Sequence, residues 1–407
     1  MLYNNSLYAQ HYTSLQVVTV CLLTLVVTIG FSRFAYTSML PHMLSNGVLD
    51  IPQAGWLASA NYAGYFLGAA TVSSLKLRPT TTLRLGLIAS CLLIAAMGLV
   101  DSYHSWLTIR FLAGVVSAWT FVVSSQWGLN LLSRTNPGDK RKDGIIYTGT
   151  GIGIIISGAL AHTSSWYTHS LGWLSISSAS IAITLIVVHV LGKSKDIGSL
   201  PPPTSRYNVN QGTRIIEPVI FVGLYGISGF GYIIIATFLP VIAQRTLPVE
   251  SIWPHLFWPL FGASLVFGAI SFSRIRHNID NRLALSASYI LQALGITVCT
   301  LYPSLPGFII GSILTGMPYT VIILSGMREA RRINSVNALR LAGFATAAYA
   351  LGQIIGPITA TTIVSLSGGF SPALWIASGA LTFGAIAFFT NYMFTTHGKH
   401  RSNRHDH

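Results

Sequence analysis

Charge is what this sequence has least of. Only 8% of its 407 residues are Asp, Glu, Lys or Arg, ten of them acidic, against 51% hydrophobic residues. A soluble domain of this size carries about 25% charged residues, so a water-soluble globular protein is excluded. Cysteine is scarce too: Cys21, Cys91 and Cys299 all fall inside apolar stretches, which predicts buried thiols and no disulfide framework. The chain has no glycine-rich phosphate loop ending in Lys-Ser/Thr and no paired metal ligands. That argues against a catalytic or nucleotide-binding protein, and no cofactor or metal is expected. His397, His400, His405 and His407 have no Cys or carboxylate frame around them and read as a solvated basic tail. Residues 1–13 are polar, lack Lys and Arg and lead straight into an apolar run, so no cleavable signal peptide is expected.

What the chain does have is apolar runs long enough to cross a bilayer, which takes about 20 residues each. Twelve are predicted, at roughly 16–41, 53–75, 85–101, 105–131, 144–162, 168–191, 215–241, 253–273, 283–301, 305–326, 338–364 and 371–394. Basic residues recur between them in six clusters: Lys76 to Arg84, Arg134 to Lys142, Lys193 to Arg214, Arg274 to Arg282, Arg328 to Arg340 and Lys399 to Arg404. The connections near 42–53, 163–170, 302–306 and 364–371 carry no Lys or Arg. Basic loops stay on the cytoplasmic side, so the alternation predicts a multi-pass protein of the inner (plasma) membrane with both termini in the cytoplasm. The net charge of +14 then answers to anionic lipid headgroups and not to nucleic acid.

Residues 193–214, with Pro201, Pro202 and Pro203, form the only long hydrophilic interior segment. They divide an N-terminal six-helix bundle, 1–192, from a C-terminal one, 215–407, which ends in a short basic tail. The halves resemble each other. Gly30-Phe31 and Leu40-Pro41 align with Gly229-Phe230 and Leu239-Pro240 at an offset of 199, which pairs Arg33 with Tyr232. The same offset pairs Gly153, Ile155, Ile156 and Ala161 with Gly352, Ile354, Ile355 and Ala360. A weaker coincidence at 197 pairs Phe111 and Gly114 with Phe308 and Gly311. A duplicated six-span unit is the plan of a rocking transporter with its site where the halves meet. The expected fold is therefore an all-α polytopic membrane protein of twelve transmembrane helices in two pseudo-symmetric bundles.

These residues resemble the major facilitator superfamily and, within it, the YbfB/YjiJ-type branch. The resemblance is carried by Gly30-Phe31-Ser32-Arg33-Phe34-Ala35-Tyr36 with Leu40-Pro41, by Ala58 to Tyr65, and by Arg110-Phe111-Leu112-Ala113-Gly114. Gly229 to Tyr232, Phe238-Leu239-Pro240 and Gly352 to Pro357 complete it, and it covers residues 15–394. It implies a monomeric secondary transporter of a small solute, with no substrate named. In two places the sequence departs from the superfamily's pattern. The loop after span 2 keeps Lys76, Arg78 and Arg84 but no carboxylate, and the glycine-rich span 5 lacks the proline of drug antiporters. Both weigh against drug efflux.

Arg33 is the one charge near the middle of a span. It costs at least ~2.5 kcal/mol there unless it faces protein or a watery cavity. It either aims its guanidinium into the cavity to bind an anion or is satisfied by the carbonyls of a neighbouring helix. A period of 3.6 puts Tyr36, Thr37 and Leu40 on its face. Arg110, one to two turns inside span 4, matches a superfamily arginine associated with proton coupling or with structure. Asn61, Tyr65, Tyr232 and Gln353 are polar groups in hydrocarbon that require partners, either a ligand or another helix. The glycine pairs Gly64/Gly68 and Gly352/Gly356 point to close helix packing. Trp119, Trp127 and Trp258 line the cavity or belong to the interfacial belt.

All ten acids lie in loops, tails or span ends, so no titratable carboxylate waits at mid-membrane. Cavity cations without a counter-carboxylate favour an anionic or zwitterionic substrate held by Arg33, Tyr36, Asn61, Tyr65, Arg110, Tyr232 and Gln353. The alternatives are multidrug or metabolite efflux by proton antiport, a facilitator or histidine-coupled carrier, and a non-transporting membrane sensor on the same fold.

Overall fold

A computed structural model describes residues 12–75, 77–135, 141–163, 168–192, 216–274, 279–334 and 338–402. The 193–214 linker and the end of the histidine-containing tail lie outside them. The described residues form twelve helices: α1 Ser14–Ser45, α2 Ile51–Thr71, α3 Pro79–Leu99, α4 Tyr103–Thr135, α5 Arg141–Thr163, α6 His169–Gly192, α7 Ile216–Thr246, α8 Trp253–Arg274, α9 Asn281–Leu301, α10 Leu305–Ile333, α11 Ala338–Ser367 and α12 Ser371–Ser402. Eleven are long and apolar enough to cross a membrane. The exception is α2, diluted by Gln53, Ser59, Asn61 and its tyrosines. Ser59, Asn61, Tyr62 and Tyr65 are buried against other helices, while Trp56 and Leu67 of the same helix are exposed.

Helix ends use the few acids the chain has. Asp50 accepts from the Gln53 backbone N–H at 2.7 Å while Gln53 reaches back to the Asp50 N–H, so a capping box starts α2. Asp280 caps α9 and holds Arg282 at 2.9 Å. Glu329, buried in the last turn of α10, pairs with Arg332 at 2.7 Å, and Arg332 also meets Glu217 of α7. These carboxylates therefore brace helix ends.

Tight packing rests on backbone-to-backbone approaches. Gly30 of α1 lies directly on Gly153 of α5, and Gly229 of α7 meets Gly352 of α11. The two contacts are related by the 199-residue offset. Thr37 also donates to the Ala236 carbonyl at 3.1 Å, so α1 and α7 cross at positions 199 apart. The 197-residue coincidence does not extend to packing. Gly114 lies on Asn61 of α2, whereas Gly311 lies on Gly295 and Cys299 of α9, and the glycine of α10 that faces α8 is Gly316. Gly149 and Gly153 seat α5 on α1, while Gly151 and Gly158 seat it on Gly262 and Pro259 of α8.

A Cβ at Gly153 would sit 2.7 Å from both the Gly30 Cα and the Val26 carbonyl. Both obstacles are backbone and cannot swing aside. Gly153→Ala is expected to cost about 1–3 kcal/mol and Gly153→Leu to leave little folded protein. Gly379, with nothing within 4 Å of its Cβ position, should accept leucine unchanged. Size-exclusion profiles and melting temperatures in detergent measure both.

The helix that matters most is broken. In α1, Val26–Phe31 is π-helical and residues 32–34 form a turn. Ser32 N–H reaches back five residues to Val27 O at 2.9 Å, and Phe34 N–H reaches Ile29 O at 3.1 Å. A π segment inserts one extra residue and turns everything beyond it relative to a regular helix. The turn at 32–34 then lies between Arg33 and Tyr36, so the two do not share a face as the 3.6 period predicts. The Tyr36 hydroxyl donates instead to Ala54 O of α2 at 2.9 Å.

Candidate functional site

Arg33 sits at the break, 4% exposed, with its guanidinium carbon 4.1 Å from the ring centre of Tyr65 and 5.0 Å from that of Tyr62. Its Nη2 donates to Gln353 Oε1 at 2.6 Å, and Gln353 Nε2 donates onward to the Tyr232 hydroxyl at 2.6 Å. One amide thus joins the two residues that the 199-residue offset pairs. A guanidinium carries five N–H donors. The hydrogen bond to Gln353 uses one of them, and Arg33 Nε is buried without a partner. Among the described residues no carboxylate lies within ion-pair distance of Arg33.

The cavity that Arg33 closes contains about 690 Å³ of space, counting the part that opens to solvent. Lining it are Arg33, Tyr65 and Gln353, together with residues from α4, α5, α7, α8, α10 and α11. Its α5 wall comes from the first turns of that helix, Tyr147 and Thr150, and its α10 wall from the later turns, Tyr319 to Met327. The cavity therefore runs from Arg33 toward the end of the bundle where α1 begins and α12 ends. On the far side of Arg33 the halves are joined. Ser59 donates to Ile354 O at 2.7 Å, and His42 stacks on His255 with centroids 5.0 Å apart. Trp258 Nε1 reaches Phe34 O at 3.2 Å.

The family model described as "Uncharacterised MFS-type transporter YbfB" matches residues 25–389. The chain belongs to that family. It is a major facilitator superfamily transporter in a membrane, not an enzyme. A chloramphenicol resistance protein of Streptomyces lividans is 23% identical over 392 residues, 91% of this chain and 94% of that one. Among solved structures, a point mutant of the nucleoside transporter NupG superposes with a TM-score of 0.71 at 15% identity, covering 93% of this chain and 99% of NupG. The human organic anion transporter MFSD10 (TETRAN) gives 0.61 at 14% identity, covering 93% and 100%. At those identities the two structures are evidence of the fold alone.

Within this transporter the seven candidate residues separate. Arg33, Tyr65 and Gln353 line the cavity; Tyr232 stands directly behind Gln353, fully buried. Arg110, Asn61 and Tyr36 do not line it. Arg110 donates to Ser32 O at 3.1 Å and Arg33 O at 3.3 Å and lies 4.6 Å from the ring centre of Tyr36. Asn61 donates to the Arg110 carbonyl at 2.9 Å. These three knit α1, α2 and α4 together and satisfy the carbonyls that the turn at 32–34 frees. None of the three tryptophans lines the cavity. Trp119 bonds Thr71 Oγ1 at 3.0 Å, Trp127 packs edge-on against Tyr12, and Trp258 holds the break from the α8 side.

The sequence reading missed Tyr319, Tyr147 and Phe121, all cavity walls. One signal was available. Tyr319, Ile323 and Met327 follow an i, i+4, i+8 spacing that places them on one face of α10.

Proposed function

We propose that this secondary transporter carries a small organic solute bearing an anionic group across the inner (plasma) membrane by alternating access. Both termini are cytoplasmic, the two bundles 1–192 and 215–407 rock against each other with the site at their interface, and the cavity faces inward. The observation that carries this reading is the unneutralised Arg33. A buried guanidinium in a membrane bundle needs partners; Arg110 has them in three backbone carbonyls, whereas Arg33 has one amide oxygen and an Nε without a partner. The described protein groups around it offer an amide and ring faces, so a ligand's anionic group completes the site. The chloramphenicol resistance relative favours a second reading, export of an uncharged drug.

Thermal unfolding of the purified protein against panels of small organic anions, neutral drugs and lipophilic cations separates the two. Anions should raise the melting temperature of wild type but not of Arg33→Gln, because only a ligand that prefers the folded state stabilises it. Stabilisation confined to cations or neutral drugs, and unchanged in Arg33→Gln, would sink the anion reading.

The orientation has its own check. An alkaline phosphatase reporter fused after Gly47 is expected to be active outside, and one fused after Gly138 inactive in the cytoplasm. The reverse pattern would invert the assignment.

A further inference from the structure

The cavity walls are aromatic on both sides. The first six helices contribute Tyr65 of α2, Phe121 of α4 and Tyr147 of α5; the last six contribute Tyr225 of α7, Tyr319 of α10 and Tyr349 of α11. Phe121 and Tyr147 form one tilted pair, with centroids 6.3 Å apart. Opposite them runs a ladder: Tyr225 to Tyr349 at 5.3 Å, Tyr349 to Tyr232 at 5.8 Å and Tyr232 to Tyr319 at 5.3 Å. Rings held this way are stiff, flat surfaces. A flat π-system gains offset-stacking and edge contacts there beyond simple area burial.

The charge on these walls is single. Among the described residues, Arg33 is the one cation that lines the cavity and no acid does. Arg110 is turned away onto the carbonyls of α1, so it cannot serve as a second anion contact. A dianion or polyanion would therefore leave a charge unpaired among tyrosine and aliphatic side chains, at a cost. A guanidinium fork matches a planar oxyanion, and Arg33 lines the cavity.

We infer that the cavity takes an aromatic monocarboxylate: one ring, or two fused rings, bearing a single carboxylate. The carboxylate faces Arg33, and the ring lies between the Phe121/Tyr147 wall and the Tyr225/Tyr349 wall. This rests on the anion reading above and narrows it to a substrate class. Tyr65 and Gln353 fix the guanidinium; Phe121 and Tyr349 set the preference for a ring.

The test is equilibrium binding to the purified full-length protein, using 4-hydroxybenzoate, indole-3-acetate, hexanoate, citrate, benzyl alcohol and benzylamine as probes. The two aromatic carboxylates are expected to bind about tenfold or more tighter than hexanoate, the scale that one or two ring contacts provide. Phe121→Leu and Tyr349→Leu, each confirmed folded by its size-exclusion profile, should erase that preference by weakening the aromatic acids about tenfold more than hexanoate. Hexanoate binding as tightly as the aromatic acids to wild type would overturn the aromatic class and leave the anion reading standing. Citrate binding more tightly than 4-hydroxybenzoate would overturn the single-charge assignment. Benzyl alcohol or benzylamine binding tightest, with no loss in Arg33→Gln, would bring down the anion reading itself. If neither aromatic acid binds at millimolar concentration while hexanoate does, the class is wrong.

Discussion

Replacing Arg33 with glutamine is expected to abolish anion transport while leaving a folded protein in the membrane. Glutamine keeps an amide that can bond Gln353 and fit beneath Tyr65, so the link from α1 to α11 survives. What disappears is the charge. Truncating one partner of a buried charge contact costs about 2–5 kcal/mol, so binding should weaken on the order of 30-fold or more. Arg33→Lys should recover only part of that loss, because an ammonium is a point charge without the planar fork. The folded state itself should gain slightly. With no carboxylate near it among the described residues, Arg33 is a burden on the empty protein that its ring contacts offset only in part. The measurement is uptake into proteoliposomes beside a melting curve in detergent. Normal transport by Arg33→Gln, or collapse of its melting temperature, would make Arg33 a structural element of the bundle.

The helices could be read from the sequence because the membrane imposes length and polarity on each of them separately, with no tertiary information needed. The repeat could be read because glycines recur at a fixed offset of 199, but that they seat α1 on α5 and α7 on α11 is visible only in the fold. The site was only half legible. Polar side chains in hydrocarbon announce that they need partners, but not which ones. Asn61 and Gln353 look alike in the sequence, yet one holds a helix backbone and the other faces the cavity. The break in α1 was invisible because Ser32, Arg33 and Phe34 contain no proline. The π geometry there persists through side chains from α4 and α8, nearly 80 and more than 220 residues away. Tyr319 escaped because an isolated tyrosine after Pro318 carries no polarity pattern. Only the fold brings it to Arg33's side of the cavity.

The second arginine should behave in the opposite way. Arg110 is 1% exposed and serves three carbonyls: Ser32 at 3.1 Å, Arg33 at 3.3 Å and Leu57 at 3.5 Å. The turn at 32–34 would otherwise leave the first two without donors inside an apolar bundle. Each buried, unpaired carbonyl costs about 1–3 kcal/mol, so Arg110→Ala removes on the order of 2–6 kcal/mol from two of them alone. Loss of the cation over Tyr36 adds to this. That total is comparable with the whole stability of a typical fold, about 5–15 kcal/mol. Arg110→Ala is therefore expected to yield little monodisperse protein, with a sharply lowered melting temperature in whatever survives. Arg110→Lys can reach one carbonyl but not two, so it should fold with an intermediate melting temperature and keep its anion affinity, since Arg110 does not line the cavity. The contrast is the test: Arg33→Gln folds and fails to bind, whereas Arg110→Lys melts early and binds. If Arg110→Ala folds as well as wild type and loses only transport, Arg110 acts in coupling or ligand contact, and the turn in α1 holds without it.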